Sequence, residues 1–156
     1  MAVSTNFGLA RKILAELKIP CQILDHSSYG RKSELVAPLF GIPKKNLLKT
    51  LTFISQDGQA ILAILPKGSE VDEKRLAVLA GSGKLRLAKA PEVLHLTGSE
   101  IGGVTPIGSK LPAVIESSII GEENVIISGG TPETSIVLSG KELARASKAL
   151  SGAFSK

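Results

Sequence analysis

Residues 47–65 read LLKTLTFISQDGQAILAIL. Two apolar, strand-forming segments flank Gln56-Asp57-Gly58, a pattern that signals a β-hairpin. The expected strands are Leu47–Ser55 and Gln59–Leu65. Upstream, TNFGLARKILAELK (5–18) puts Leu9, Ile13, Leu14 and Leu17 on one helical face, with Ser4, Thr5 or Asn6 as its cap and Pro20 beyond its end. CQILD (21–25) reads as a short strand and HSSYGRK (26–32) as a polar loop, after which Ser33 opens a short helix that Gly41 stops. Downstream, Asp72 caps a helix to Ala80, Lys84–Leu87 reads as a strand, and Pro91 sits in the first turn of PEVLHL. Ala113–Glu116, Asn124–Ser128 and Ser135–Leu138 follow as strands, the last of these closing the set, and Ser139 caps a terminal helix GKELARASKAL. Helices alternate with strands but hairpins interrupt them. That order argues against a doubly wound parallel sheet. It predicts one compact α/β domain over residues 1–156, with a mixed, barrel-like sheet surrounded by short helices.

The composition narrows the function classes. Hydrophobic residues make up 43% of the chain and aromatics 3%, so the core is aliphatic. No apolar run approaches the ~20 residues of a membrane span. The N-terminus MAVSTNFG has neither the charged start nor the apolar stretch of a signal peptide, so a cytoplasmic protein with no membrane contact is expected. Cys21 is the only cysteine, and with His26 and His95 as the only histidines a structural zinc site is not expected. Lysine and arginine number 19 against 14 acids, a net +5. This favours a polyanionic partner that meets a dispersed positive surface or inserts only its end.

The most unusual composition lies in Gly98–Ile115, GSEIGGVTPIGSKLPAVI, which concentrates Gly98, Gly102, Gly103, Gly108, Pro106 and Pro112. Glycines permit positive φ and close approach, and Pro106 stiffens what they shape. A rigid loop with exposed N–H groups at Gly102–Thr105 is expected. Such groups hold a phosphate, a carboxylate or the oxygen of a reacting carbonyl. A simple connector needing positive φ explains the composition equally. Neither a Walker loop nor a dinucleotide fingerprint fits the spacing.

Lys49 stands in an otherwise apolar strand, on the face of Leu47, Leu51 and Phe53. It is either a phosphate or carbonyl ligand at a cleft wall or a solvated edge-strand lysine whose stem packs on its neighbours. Ser128-Gly129-Gly130 forms a second glycine turn at a strand end, or merely a strand exit. Tyr29, the only tyrosine, either stacks on a base or plugs the core. His26 and His95 have no evident partners, Cys21 reads as a buried thiol, and no Ser/His/Asp or Cys/His arrangement stands out.

The lysine in LLKTLTFI, then GSEIGGVTPIGSKLPAVIES, then NVIISGG, a short strand and a closing helix together resemble the YbaK/ProX-type aminoacyl-tRNA editing domain. That family includes Cys-tRNA(Pro) deacylases and the related editing domain of prolyl-tRNA synthetase. The resemblance spans essentially the whole chain. It implies a trans-editing deacylase that hydrolyses the ester of a mischarged tRNA bearing cysteine, alanine or a similar small amino acid. The implied partners are the tRNA acceptor end and prolyl-tRNA synthetase, with no metal and no cofactor. A non-catalytic module that binds an aminoacyl group or nucleotide end is the alternative.

The resemblance maps Lys49 onto the family's essential lysine, and Gly102 and Pro106 onto the ends of a Gly-x-x-x-Pro motif. Ser128 falls on the pocket serine before the glycine pair, and Tyr29 lies near a pocket aromatic. Glu34 takes the place of a frequent structural acid. Lys49, Gly102 and Gly103 are therefore the implied catalytic set, with Tyr29, Val104, Pro106, Ser128, Gly129 and Ser135 binding substrate. The amides of Gly102–Val104 would hold the carbonyl oxygen and Lys49 a phosphate or the ester region. Water, the ribose 2′-hydroxyl or a substrate thiol would act as the attacking or proton-shuttling group. Two segments depart from the family pattern. Ser135 stands where relatives often carry Asp, and 21–30 is short and lacks the usual pocket tyrosine near its start. Both changes touch the amino-acid pocket.

Overall fold

In the computed structural model, which describes residues 2–26 and 37–156, the stretch 47–65 forms the expected hairpin. Strands β2 (Leu48–Ser55) and β3 (Ala60–Pro66) pair antiparallel, Leu51 opposite Ala63 and Phe53 opposite Ile61. Ser55 N–H donates to Gln59 O at 2.8 Å, and Gly58, at φ +87°, closes the turn. Every residue from Ala60 to Leu65 is buried, as befits a central strand covered on both faces.

The hairpin lies within a five-stranded sheet of order β4-β2-β3-β5-β8, where β4 is Leu85–Leu87, β5 Ala113–Glu116 and β8 Leu150–Gly152. β3 runs parallel to β5, and β5 to β8. A three-stranded antiparallel sheet, β1-β7-β6, uses β1 (Gln22–Asp25), β6 (Val125–Ser128) and β7 (Thr134–Leu138). A lone parallel bridge between Leu47 and Ile126 links the two sheets. The mixed α/β domain is as expected, although the strands do not close into a barrel. Alternation along β3 divides the core. Leu62 and Ile64 join a cluster with Ala10, Leu14, Val104, Ile136 and Leu143, whereas Ile61, Ala63 and Leu65 join Phe53, Leu76 and Phe154 on the other face.

Helix α1 (Ala2–Glu16) begins before the expected position, so Ser4, Thr5 and Asn6 lie inside it and do not cap it. Its end is set by Lys18 at φ +57° and by Ile19 N–H bonding back to Leu14 O at 3.0 Å, closing the chain on itself before Pro20 is reached. Helix α2 (Glu73–Ala80) matches expectation: the Asp72 carboxylate accepts from the N–H groups of Lys74 and Arg75, and Gly81 at φ +67° stops it. Helix α3 (Ala90–Thr97) carries Pro91 in its first turn. Its Glu92 carboxylate accepts two bonds from Arg86, both 2.8 Å, and one from Lys89 N–H at 2.9 Å. The Arg86 bonds first, then that of Lys89, pull the Glu92 pKa down to about 2. Among the described residues no helix is long and apolar enough to cross a membrane. The loop around Tyr29 and the start of the second helix, with Glu34, lie outside the described residues; Ala37–Phe40 forms a 3-10 turn that ends at Gly41, φ +64°.

The C-terminal part departs from the sequence reading. Helix α4 (Gly140–Ser147), capped by Ser139 onto Glu142 N–H, ends earlier than expected, with Lys148 at φ +57°. The chain then makes β8, so β7 is not the last strand. Phe154 is fully buried in the core beneath α2. Its N–H and that of Ser155 donate to the buried Glu116 Oε2 at 2.8 and 3.2 Å, and its carbonyl accepts from Asp72 N–H at 2.7 Å. Phe154→Ala is expected to lower stability by about 3–5 kcal/mol in urea denaturation. A loss below about 1 kcal/mol would show that the tail does not anchor this core.

Candidate active site

The glycine-rich loop after α3 is shaped by positive φ at three of its glycines: Gly98 (+76°), Gly102 (+88°) and Gly108 (+87°). Glu100–Gly103 is a tight turn in which Gly103 N–H donates to Glu100 O at 2.8 Å. This corrects part of the sequence reading. The amides of Gly102–Thr105 are not a uniform exposed row: Gly102 is exposed, Gly103–Ile107 are buried, and the Gly103 donor is already used. Among the described residues no hydrogen bond takes the N–H of Gly102 or Val104. The turn thus leaves two donors on alternate residues.

The second glycine turn packs directly against the first. A Cβ on Gly103 would lie 2.8 Å from Pro132 Cδ and 3.0 Å from backbone atoms of Thr131 and Pro132. Gly129 and Gly130 admit other groups just as closely. A Cβ would stand 2.7 Å from Thr134 Oγ1 at the former and 2.9 Å from Phe7 N of α1 at the latter. Asn6, expected as a helix cap, instead donates to Thr97 O (3.1 Å) and Ser99 Oγ (2.6 Å). Ser99 Oγ in turn donates to Gly130 O (3.0 Å). One short chain of hydrogen bonds therefore ties α1, the end of α3 and both glycine turns together.

The cavity arises from an incomplete sheet. β4 pairs only with Phe53–Ser55 of β2, so the same edge of β2 is open over Leu48–Leu51. Thr52 O accepts from Ala88 N–H at 2.8 Å on that edge, and by strand alternation the backbone groups of Thr50 point the same way, into the opening. Leu47, just before β2, forms an isolated parallel bridge with Ile126 of β6. Two residues beyond that bridge in each strand are Lys49 and Ser128, and Ser128 pairs across β6 and β7 with Ser135. A cavity of about 550 Å³ occupies this space, and Lys49, Gly102, Val104, Ser128 and Ser135 all line it. Gly103, Pro106 and Gly129 do not line it. Tyr29 falls outside the described residues.

Lys49 is half-buried and, among the described residues, has no salt-bridge partner. Leu51 and Phe53, on its face of β2, pack into the core beneath α2. Ser128 Oγ accepts from Gly130 N–H at 3.2 Å and donates to Thr131 O at 3.1 Å, so it braces its own turn. Several cavity residues carried no sequence signal. Lys67, exposed after β3, Pro132 and the buried Thr52 line the cavity. His26 is fully buried, with Nε2 2.9 Å from Ser135 Oγ, a partner 109 residues away. His95 and Cys21 do not line this cavity, and burial pushes the Cys21 thiol pKa up.

The chain is similar to known proteins in sequence and in fold. The family model described as the aminoacyl-tRNA editing domain matches residues 29–146. The proline–tRNA ligase of Thermotoga neapolitana is 33% identical over 107 residues, 69% of this chain and 18% of the ligase. A protein of Enterococcus faecalis, assigned as a Cys-tRNA(Pro)/Cys-tRNA(Cys) deacylase, is 31% identical over 108 residues, 68% of this chain and 63% of that one. The chain thus spans under a fifth of the ligase and under two thirds of the deacylase. The crystal structure of a protein assigned as a trans-editing enzyme for prolyl tRNA synthetase superposes with a TM-score of 0.83 at 26% identity, covering 97% of this chain and 98% of that one.

The contact between the two glycine turns yields a prediction. Gly103→Ala forces a Cβ into the Pro132 ring and its backbone, and is expected to cost about 1–3 kcal/mol in thermal or urea denaturation. Gly102→Ala meets no atom within 4 Å and acts only through its φ of +88°, at about 1 kcal/mol. Equal and negligible effects would contradict the packing described.

Proposed function

The chain belongs to the aminoacyl-tRNA editing domain family, and from that premise we infer that it hydrolyses the ester bond of a tRNA mischarged with a small amino acid. The observation that carries this reading is that Lys49 lines the same cavity as Gly102 and Val104, two residues whose amides no hydrogen bond takes among the described residues. A cation and a pair of backbone donors are what an aminoacyl-tRNA end requires: a charge for the terminal phosphate and donors for the ester carbonyl.

In the proposed reaction the ester carbonyl oxygen sits against the N–H groups of Gly102 and Val104. Water attacks the carbonyl carbon, negative charge collects on that oxygen, and the two amides stabilise it. Losing one donor of this kind costs about 2.7–4 kcal/mol of barrier. The bond between the acyl carbon and the ribose oxygen then breaks. The ribose oxygen takes a proton, and free amino acid and uncharged tRNA leave. Lys49 holds the phosphate and so fixes the ester relative to the loop. The proton passes through water, the neighbouring ribose hydroxyl or a thiol of the substrate, and no side chain is assigned as nucleophile. The acceptor end of tRNA is the partner this assigns. Likeness to prolyl-tRNA ligases and to a Cys-tRNA(Pro) deacylase supports tRNA(Pro), charged by prolyl-tRNA synthetase, as the source of the error. The net charge of +5 suits this polyanion.

The test is deacylation of tRNA(Pro) carrying cysteine, alanine or serine. Wild-type protein is expected to release at least one of these well above buffer, and Lys49→Ala to lower kcat/KM about 10–100-fold, the range for losing one charge-assisted contact. Release of no amino acid at high protein concentration would end the hydrolase reading in favour of a binding module. Full activity in Lys49→Ala would remove the role given to that lysine.

A further inference from the structure

The rim of the cavity carries three charged residues, Lys49, Lys67 and Glu100, and the proposed reaction uses only the first. The two lysines share one wall. Lys49 pairs with Leu65 across the β2–β3 hairpin, and the ladder runs one step past β3, where Lys67 N–H donates to Leu47 O at 2.8 Å. Lys67 therefore stands diagonally across from Lys49, about 7–8 Å away along the ladder. Leu65, two residues before Lys67, packs in one cluster with Leu51 and Phe53 from the Lys49 face of β2. Alternation puts both lysines on that face, at the margin where the apolar cluster ends. Lys67 is exposed, and a tight turn closed by Ser69 N–H to Pro66 O at 3.0 Å fixes its backbone.

Two ammonium groups on one rim repel each other, and an anion between them relieves the repulsion. The hairpin supplies little of its own. Its only carboxylate, Asp57, stands at the far turn, and Glu70, just past the near end, reaches Lys156 at 3.9 Å. Glu100 belongs to the other wall, the glycine-rich loop, two residues before Gly102. The rim therefore has a direction, with cations along the hairpin and a carboxylate beside the amides assigned to the ester. An aminoacyl-tRNA end has the same direction: its phosphates lead up to the ester, and the ammonium of the amino acid lies beyond it.

We propose that Lys67 holds the phosphate of the nucleotide before the terminal one, so that the hairpin grips two consecutive phosphates of a single strand. This deepens the hydrolase reading above and rests on it for the role of Lys49. Lysine suits the task because its ammonium meets a phosphate as a point charge on a flexible stem. Lys49 is half-buried and Lys67 exposed, which sets the order: the deeper lysine takes the last phosphate and the outer one its predecessor. The site thus reads the strand beyond the esterified adenosine.

The experiment is calorimetric binding of two non-hydrolysable ligands, the 3′-alanyl amides of CpA and CpCpA, the second carrying one more phosphodiester. Wild type is compared with Lys67→Ala, Lys67→Arg and, as a control for overall charge, Lys141→Ala at an exposed position of α4. Wild type is expected to bind the CpCpA ligand about threefold or more tighter at low salt. Its log–log salt slope should be steeper by about 0.7 for that ligand. Lys67→Ala should remove both differences while changing affinity for the CpA ligand by less than about twofold. Lys67→Arg and Lys141→Ala should keep both differences. A preference for CpCpA that survives Lys67→Ala overturns the proposal, as does its absence in wild type or its loss in Lys141→Ala. An equal loss for both ligands in Lys67→Ala also overturns it, because Lys67 would then share the terminal phosphate with Lys49. Deacylation of mischarged tRNA(Pro) is measured alongside. If no ester is hydrolysed but the amides bind with a preference that Lys67→Ala removes, the hydrolase reading fails and the role of Lys67 stands.

Discussion

The site depends on one contact, the backbone-to-backbone approach of Gly103 to Thr131 and Pro132. Only a residue without a Cβ admits it, since the added atom would lie 2.8 Å from the proline ring. That approach fixes the loop carrying Gly102 and Val104 against the turn carrying Ser128. Gly129 and Gly130 extend the same logic to α1, and the Asn6–Ser99–Gly130 hydrogen bonds hold the three pieces in register. The glycines of this protein thus act in two distinct ways. Some provide positive φ, as Gly102 does, and others provide closeness, as Gly103 does.

The second requirement is an unfinished sheet. β4 pairs with only Phe53–Ser55 of β2, and β6 is bridged to the chain at Leu47, just before β2 begins. The opening left between them is lined by the half-buried Lys49 and Thr50 and the buried Thr52. The two readings of Lys49, edge-strand lysine and cleft ligand, are therefore not rivals. The edge is open, and the opening is the cleft. The rim holds the charges and the buried part holds hydroxyls among aliphatic groups.

What the sequence made legible was mostly local. The hairpin at Gln56-Asp57-Gly58, the Asp72 cap with its Gly81 stop, Pro91 in α3 and the Ser139 cap all rest on interactions within a few residues. Of the candidate site residues, Lys49, Gly102, Val104, Ser128 and Ser135 line the cavity, Gly103, Pro106 and Gly129 do not, and Tyr29 lies outside the described residues. What failed was long-range. Asn6 looks like a helix cap because its residue type favours caps, and only the fold reveals Thr97 and Ser99 as its partners. β8 is three residues long, too short to show alternation, and its pairing with β5 sets it. His26 and Ser135 meet across 109 residues, and Thr52 reads as an ordinary β-branched strand residue until its unpaired hydroxyl is seen. The Gly103 donor was misjudged because the composition of a turn does not say which N–H the turn itself consumes.

The claim at the centre of this account is that Gly102 and Val104 present amides to an aminoacyl carbonyl. The most direct measurement is a ¹⁵N–¹H NMR titration of the protein with a non-hydrolysable aminoacyl 3′-amide of adenosine. The account predicts that the Gly102 and Val104 amides shift most, while the Gly103 amide, already bonded to Glu100, moves less. Binding that leaves the Gly102 and Val104 resonances in place would contradict it.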